Sequence, residues 1–385
     1  MIRIAHIITG LGIGGAEMML AKLLSRTDRS QFEPFVISLS DQGVLGERIK
    51  DLHIPVSAAG MKPGRPMTAG LCRLVSMVRS IKPDLIQGWM NHGNLAAQLS
   101  AFFQGHRVPV IWNIRQSIYS LAYYKKMTMA LMKMGSYLSY LPEAIIYNSR
   151  TGAAQHEAIG FRRDKRIIIP NGFDVDTFKP DLEAVASVRT ELGIPSENIV
   201  IGLIASYSPL KDHATFLKAA SLLLEKYSGV RFILAGLGID GNNGRLRSLL
   251  MKLNISKSVY LLGERFDIPR LTACMDIASS SSYAEGFSNV IGEAMSCGVP
   301  CVVTDVGDSA LLVGDTGLIV EPRNPKALCD GWKEIIEMPT LNRRRLGERA
   351  RDRIIENFSI DAVCMLYDQL YGEVFDHEKR RLKGC

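Results

Sequence analysis

The sequence predicts an α/β protein built of two doubly wound, Rossmann-like domains. Three observations predict it. Short apolar runs alternate with helix-like patterns along the whole chain, that rhythm breaks once near residue 178, and the length of 385 residues exceeds what one core ordinarily serves. The first set of runs reads RIAHIIT, EPFVISL, PDLIQGW, VPVIWNI, EAIIYNS and RIIIPN. Each is bounded by Gly, Pro or polar residues, and the segments between them have helical spacing, so a parallel sheet with crossover helices follows. After NGFDVDTFKPD the pattern restarts with NIVIGLIAS, VRFILAG, SVYLLG, DIASSS, PCVVT and GLIVEP. The expected division is therefore residues 1–178 and 179–358, joined near Phe178 to Leu182. Ligands of such sheets sit at the carboxyl ends of strands, which directs attention to the loops after these runs.

Composition narrows the class. The apolar fraction of 47% is ordinary for a soluble protein, and no apolar run approaches the roughly 18 residues of a spanning helix. MIRIAHIITG is a strand signal without a basic region and a long apolar core, so a cytoplasmic location is expected. The seven cysteines, at 72, 274, 297, 301, 329, 364 and 385, are scattered and form no Cys-x-x-Cys pair, which argues against zinc and against a disulfide framework. Charge is unevenly divided: residues 1–178 hold 21 Lys and Arg against 12 Asp and Glu, the remainder 25 against 27. A basic first half suits an anionic partner. Nucleic acid is not expected, because there is no zinc-finger spacing, RNP-like string or long basic helix. Peripheral contact with an anionic membrane, or a lipid-phosphate acceptor, fits; so does plain solvated surface charge. Residues 123–141, with Lys125, Lys126 and Lys133 among Met, Leu and Tyr, suit a membrane surface and equally suit a helix packed on its own sheet.

Four loops carry chemistry. GLGIGGAE, residues 10–17, follows a strand and opens a helix, and Gly14 and Gly15 let backbone amides approach a phosphate. The acidic residue expected some 20 positions on in a dinucleotide fold is missing, since Asp41 lies late in a turn-like DQG; a nicotinamide oxidoreductase is a poor second reading, and a simple packing turn is the other. His92, flanked by Asn91 and Asn94 in GWMNHGN, and Arg115 in WNIRQS follow neighbouring strands. Arg115 there suits an anionic acceptor or a phosphate. Asp174 and Asp176 have the Asp-x-Asp spacing of a metal site, but they follow Asn171-Gly172, a turn signal, and no metal is expected.

The densest motif is EGFSNVIGEAMSCGVPCV. Gly286 permits a tight path, Ser288 suits a helix N-cap, and Glu285 then stays outside the helix while Glu293 lies five residues past the cap, about 7 to 8 Å along the axis. The amides of Asn289 and Val290 would face whatever sits at the helix start, where the dipole favours an anion. A sugar diphosphate fits between the two acids. The same spacing also suits a surface helix with two solvated glutamates.

GGAE, IPNGFD at residues 169–174, SPLKDH at 208–213 and the Glu285–Glu293 motif together resemble the retaining glycosyltransferases of family 4 (glycosyl transferases group 1), which have the GT-B fold. The resemblance spans almost the whole chain, with its motifs in the family's order. It implies two Rossmann-like domains facing each other across a cleft, with a last helix, about residues 359–385, returned to the first. It further implies a metal-independent hexosyltransferase acting from a nucleoside-diphosphate sugar on a glycan or lipid-linked acceptor in cell-surface polysaccharide synthesis, with no cofactor. Glu285 matches the acid that contacts donor-sugar hydroxyls, with Gly286 and Phe287 lending backbone contacts. Glu293 matches the acid on the ribose hydroxyls, and Lys211 the lysine that neutralises the diphosphate. His92 resembles the family's active-site histidine. Gly236, after VRFILAG, joins Gly14, Gly15, Ser288, Asn289 and Val290 in the donor-binding set, and Asn91 joins Arg115 on the acceptor side. One departure is Ser206, where family members often carry an arginine; Arg265, in LLGER, is the candidate to replace that charge. Two other readings stay open: an epimerase or hydrolase of related architecture, and a relative that binds nucleotide sugar with weak turnover.

Overall fold

The computed structural model describes residues 1–61, 67–118 and 126–383. They form two units, residues 1–172 with the segment from Ile360 onward, and Phe173–Ser359.

In the first unit seven parallel strands, β1 (Ile2–Ile8), β2 (Phe32–Ser38), β3 (Val56–Ala58), β4 (Leu85–Trp89), β5 (Val110–Ile114), β6 (Ala144–Tyr147) and β7 (Arg166–Ile168), pair in the order β3-β2-β1-β4-β5-β6-β7. Helices cover both faces, which is why β4 and β5 are buried along their whole length and read as unbroken apolar runs. Successive residues still serve opposite layers: Ile4 and Ile8 pack with Leu20, Leu23 and Leu24 of the helix Gly15–Arg26, whereas Ala5 and Ile7 join Ile86 and Trp112 on the other face. The last helix, Ile360–Lys383, lays Ile360, Val363, Cys364, Tyr367, Leu370 and Tyr371 on the first of these layers, the three-and-four spacing of an apolar helix stripe. Strand β3 is absent from the sequence reading. It has three residues, all partly exposed at the sheet edge, too few to establish a period of two.

The second unit has six parallel strands, β8 (Ile199–Ile204), β9 (Val230–Ala235), β10 (Val259–Leu261), β11 (Ile277–Ser280), β12 (Cys301–Thr304) and β13 (Gly317–Val320), ordered β10-β9-β8-β11-β12-β13. All six coincide with expected runs. The segment FDVDTF, expected to close the first domain, belongs to this unit instead. Phe173 is fully buried, its N–H donates to the Phe358 carbonyl at 2.9 Å, and its ring stacks on Phe287 with centroids 6.1 Å apart. Alternating acids hide these anchors in the sequence. Asp174 turns back on itself, accepting the N–H groups of Asp176 and Thr177 at 3.1 and 3.0 Å and the Thr177 hydroxyl at 2.8 Å.

Of the basic, Met-rich stretch 123–141, residues 123–125, Lys125 among them, lie outside the described residues. The helix Lys126–Leu138 buries Met132 and Gly135 and leaves Met127, Lys133, Met134 and Tyr137 exposed. No helix among the described residues is long and apolar enough to cross a membrane.

Gly292 sits where a Cβ would lie 2.0 Å from the Phe173 ring. Gly292→Ala is expected to destabilise the protein by about 1–3 kcal/mol through overpacking. The measurement is the urea midpoint of the second unit's unfolding; a midpoint equal to wild type would show that Phe173 is free to yield.

Candidate active site

Each sheet reverses its strand order once, between β1 and β4 in the first and between β8 and β11 in the second. The crevice beyond the carboxyl ends of such a pair is where doubly wound sheets hold ligands. In the second unit the loops after β8 and β11 meet there.

Lys211 ends one 3-10 turn, Pro209–Lys211, begun by Ser208, whose hydroxyl accepts the Leu210 N–H at 3.3 Å. Asp212 then adopts a left-handed conformation, φ 45°, tolerable for Asp. Its carboxylate caps the helix His213–Leu224, accepting from the Thr215 N–H at 3.2 Å and hydroxyl at 2.7 Å. Two bonds tie this turn to the loop after β11: the Ser281 hydroxyl donates to the Lys211 carbonyl at 2.8 Å, and the Tyr283 N–H to the Leu210 carbonyl at 3.0 Å. So fixed, the Lys211 ammonium donates to both oxygens of Glu285, at 2.9 and 2.7 Å. The two side chains are only 26% and 13% exposed.

Glu285 and Gly286 lie ahead of the helix Asn289–Ser296 and rest on the loop after β12. Gly307, at φ +59°, passes so close that a Cβ would lie 2.2 Å from the Glu285 carbonyl oxygen, and the Asp308 N–H donates to the Gly286 carbonyl at 2.9 Å. Phe287 is a buried anchor between Phe173 and Phe358, so only its backbone faces the loop. Ser288 holds the N-cap position but, contrary to expectation, caps nothing: its hydroxyl is buried without a hydrogen-bond partner, drawn inward beside Phe287. Asn289, Val290 and, a turn later, Glu293 are half-buried. The first helical turn has no acidic residue, so the positive end of the dipole and its amides stand beside the ion pair. A cation and a carboxylate on braced loops, a helix start and a second carboxylate one turn into that helix suit a ligand with phosphates and hydroxyls.

The remaining expected donor residues divide. Gly236, at φ +146°, brings the end of β9 against β8, since a Cβ would lie 2.2 Å from the Ala205 carbonyl oxygen. Ser206 beside it is exposed. Arg265 does not replace the missing arginine: its guanidinium binds Asp267 at 2.7 and 2.8 Å and Glu191 at 2.8 Å, and Arg270 shares both acids. That arrangement holds the Asp267 carboxyl well below the usual carboxylate range.

In the first unit Gly14 occupies the N-cap position of the helix that Gly15 begins, after β1. His92 and Asn91 follow β4, across the switch point from it. They lie in the first turn of the helix Met90–Phe102 rather than in a loop, because Met90 reverses the chain at φ 62°; His92 is exposed and Asn91 half-buried. Asn94 is structural, exchanging bonds with the Asn113 backbone. Arg115 is structural too. Its guanidinium donates to the Asn171 side chain, the Pro170 carbonyl at 3.1 Å and the Tyr367 hydroxyl at 2.8 Å, which leaves no fork for an acceptor.

Sequence reasoning missed Ser281, Asp212 and Gly307, which position the Lys211–Glu285 ion pair, and Tyr283, whose ring centroid lies 4.0 Å from the Arg323 guanidinium. The serine run SSSS at a strand end and the GD after PCVVTDV were the available signals.

Two doubly wound parallel sheets, each with its loops gathered at a switch point, are the architecture of the GT-B glycosyltransferases. The chain belongs to that class: residues 13–177 match the family model described as Glycosyltransferase Family 4, and residues 198–338 that described as Glycosyl transferases group 1. EpsF of Bacillus subtilis, named as a glycosyltransferase, is 24% identical over 79% of each chain. The D-inositol 3-phosphate glycosyltransferase of Corynebacterium jeikeium is 32% identical over 54% of this chain, which spans only 51% of that protein. Among solved structures, Anabaena Alr3699/HepE in complex with UDP superposes with a TM-score of 0.83 at 23% identity, over 97% of this chain and all of the other.

Proposed function

We propose that the chain moves a hexose from a nucleoside-diphosphate sugar to a glycan or lipid-linked acceptor, with retention at the anomeric carbon and without a metal, in cell-surface polysaccharide synthesis. The observation that carries this reading is the Lys211 ammonium gripped by both oxygens of Glu285 beside the start of Asn289–Ser296. Support for the donor also comes from the Anabaena protein, solved with UDP, with UDP and glucose, and with UDP-glucose.

In this reading the diphosphate lies between Lys211 and the helix start, Glu285 takes sugar hydroxyls and Glu293 those of the ribose. The bond from the anomeric carbon to the phosphate oxygen breaks, the acceptor oxygen bonds to that carbon on the same face, and the acceptor's proton passes to the departing phosphate. Negative charge grows on the leaving diphosphate, where a fixed ammonium and helix amides stabilise it more in the transition state than in the ground state. With Ser206 neutral and Arg265 committed elsewhere, Lys211 supplies most of that compensation.

Lys211→Ala is expected to lower turnover at least about a hundredfold, as losing one preorganised charge donor does elsewhere, and to weaken UDP binding by calorimetry. Glu285→Gln is expected to retain UDP binding while losing turnover of UDP-glucose. Near-wild-type turnover in Lys211→Ala would sink the assignment.

Because Lys211 and the helix start take the place of a divalent cation, activity is expected to persist in excess EDTA. Loss restored by manganese or magnesium would overturn the metal-free part.

The exposed Met127, Met134 and Tyr137 beside Lys133 favour a lipid-borne acceptor met at an anionic membrane surface. Binding to phosphatidylglycerol vesicles that weakens as salt rises is the expected result; no sedimentation with vesicles at low salt would refute it.

A further inference from the structure

We propose that the second unit carries a separate site for a phosphate-bearing ligand, at the end of its sheet opposite Lys211 and Glu285. The inference does not depend on the donor reading. A cavity of about 330 Å³ lies there, walled by Asp276, Gly298, Arg343, Arg344, Glu348 and Arg351. Asp276 and Pro300, which also lines it, precede β11 and β12, so the cavity opens at the amino ends of strands whose carboxyl ends lead to Glu285 and Gly307.

The arginines come from one helix, Thr340–Phe358, which carries six arginines and three carboxylates and has no acidic residue in its first turn. The amino end of a helix is its positive end and ordinarily attracts Asp or Glu. Here Arg343 and Arg344 stand near it instead, and neither side chain has a hydrogen-bonded or ion-paired partner among the described residues. Arg351, two turns on, is held by carbonyls alone: it donates to Phe178 at 3.1 Å, to Val175 at 3.2 Å and to Ser296. Its charge is thereby fixed in the wall without a carboxylate to balance it.

Two acids face the cavity and do not cancel this. Asp276 is committed to Arg189 and to the Val200 N–H, each at 2.9 Å. Glu348 is exposed and single against three guanidinium groups. Gly347 seats the helix against the Gly298 turn, so close that a Cβ would be 1.9 Å from its carbonyl oxygen. Adjacent guanidinium groups repel one another, and a dianion that accepts from two of them relieves the repulsion while using their planar forks. Phosphate has that charge and geometry.

The eight-residue helix Asn289–Ser296 connects the two ends: its head follows Glu285, and the carbonyl of its last residue accepts from Arg351. A ligand that pulls on Arg351 therefore acts on the helix that presents the other site.

The test titrates the full chain with inorganic phosphate, replacing chloride at constant ionic strength, and follows thermal stability. A ligand of the folded state alone raises it in a saturable way. The expected result is a saturable rise that Lys211→Ala retains, that Arg343→Ala/Arg344→Ala weakens about tenfold or more for the lost charged bonds, and that Glu348→Gln strengthens. Phosphatidic acid vesicles, against phosphatidylcholine alone, distinguish the sources. Retention by the former that the double variant loses assigns a lipid headgroup, and a phosphate response with vesicle retention unchanged in the double variant assigns a soluble ligand. No rise in the wild type, a rise undiminished in the double variant, or one abolished by Lys211→Ala would overturn the proposal.

Discussion

The second unit is organised by one constraint: an ammonium and a carboxylate 74 residues apart must meet with both carboxylate oxygens engaged. Chain topology does most of this. Strands β8 and β11 are direct neighbours, Ile201 opposite Ile277 and Gly202 opposite Ala278, so their following loops leave the sheet side by side. The rest is local. A left-handed Asp212, a serine hydroxyl on the Lys211 carbonyl and a glycine beneath Glu285 each remove one freedom from the pair. A largely buried ion pair loses to desolvation much of what it gains in attraction, so this much backbone support is out of proportion to any structural gain. It is proportionate to preorganisation, in which donors stand in place before charge develops and reorganise little when it does.

The same economy explains the first unit's polar interior. Arg115, Asn113 and Gln87 all lie on or just after central strands, where an apolar residue would be ordinary, and all reach toward the final helix: Asn113 and Arg115 to the Tyr367 hydroxyl at 2.8 Å each, Gln87 to Tyr371. An apolar stripe alone would let a long helix slide along a flat sheet face. Buried donors and acceptors that must be matched specify one register, since a slip leaves them unpaired at a cost of about 1–3 kcal/mol each. Arg115 thus spends its charge on seating the helix, which is why a cation at a strand's carboxyl end proved a poor guide to a ligand.

These cases mark what the sequence could reveal. Among the described residues, twelve of thirteen strands were legible because parallel strands buried on both faces are short, continuous apolar runs, a signal that survives without knowledge of partners. The helix after Glu285 was legible because its start and its apolar spacing are local, and Lys211 and Glu285 were picked out because each stands in a short motif that resembles a known family's. What failed was whatever depends on a distant partner. Arg115 and Arg265 read as available cations until Tyr367, Asn171, Glu191 and Asp267 were brought beside them. Ser288 read as a cap from its position alone, yet burial of Phe287 determines where its hydroxyl goes. Phe173 and Phe178 read as the end of the first domain because acids alternate with them, although Gly292, far along the chain, is shaped to receive the first ring. Ser281 and Gly307 left only a serine run and a glycine as signals, since each acts on a backbone atom of another loop.

Net charge fails in an instructive way as well. The first half of the chain is the basic one, yet several of its cations are already matched: Arg107 with Glu143 and Glu378, Arg166 with Glu157, Arg162 with Asp164. The second half is close to neutral, and there Arg343 and Arg344 stand unmatched at the positive end of a helix. Electrostatic potential depends on where opposite charges sit, and a Debye length of about 8 Å at physiological salt means that acids elsewhere on the unit do not neutralise that corner. A sum over half a chain averages across several such lengths. The anion-seeking surface of this protein is therefore better sought helix by helix, by asking which cations lack a partner and which stand where the backbone itself repels them.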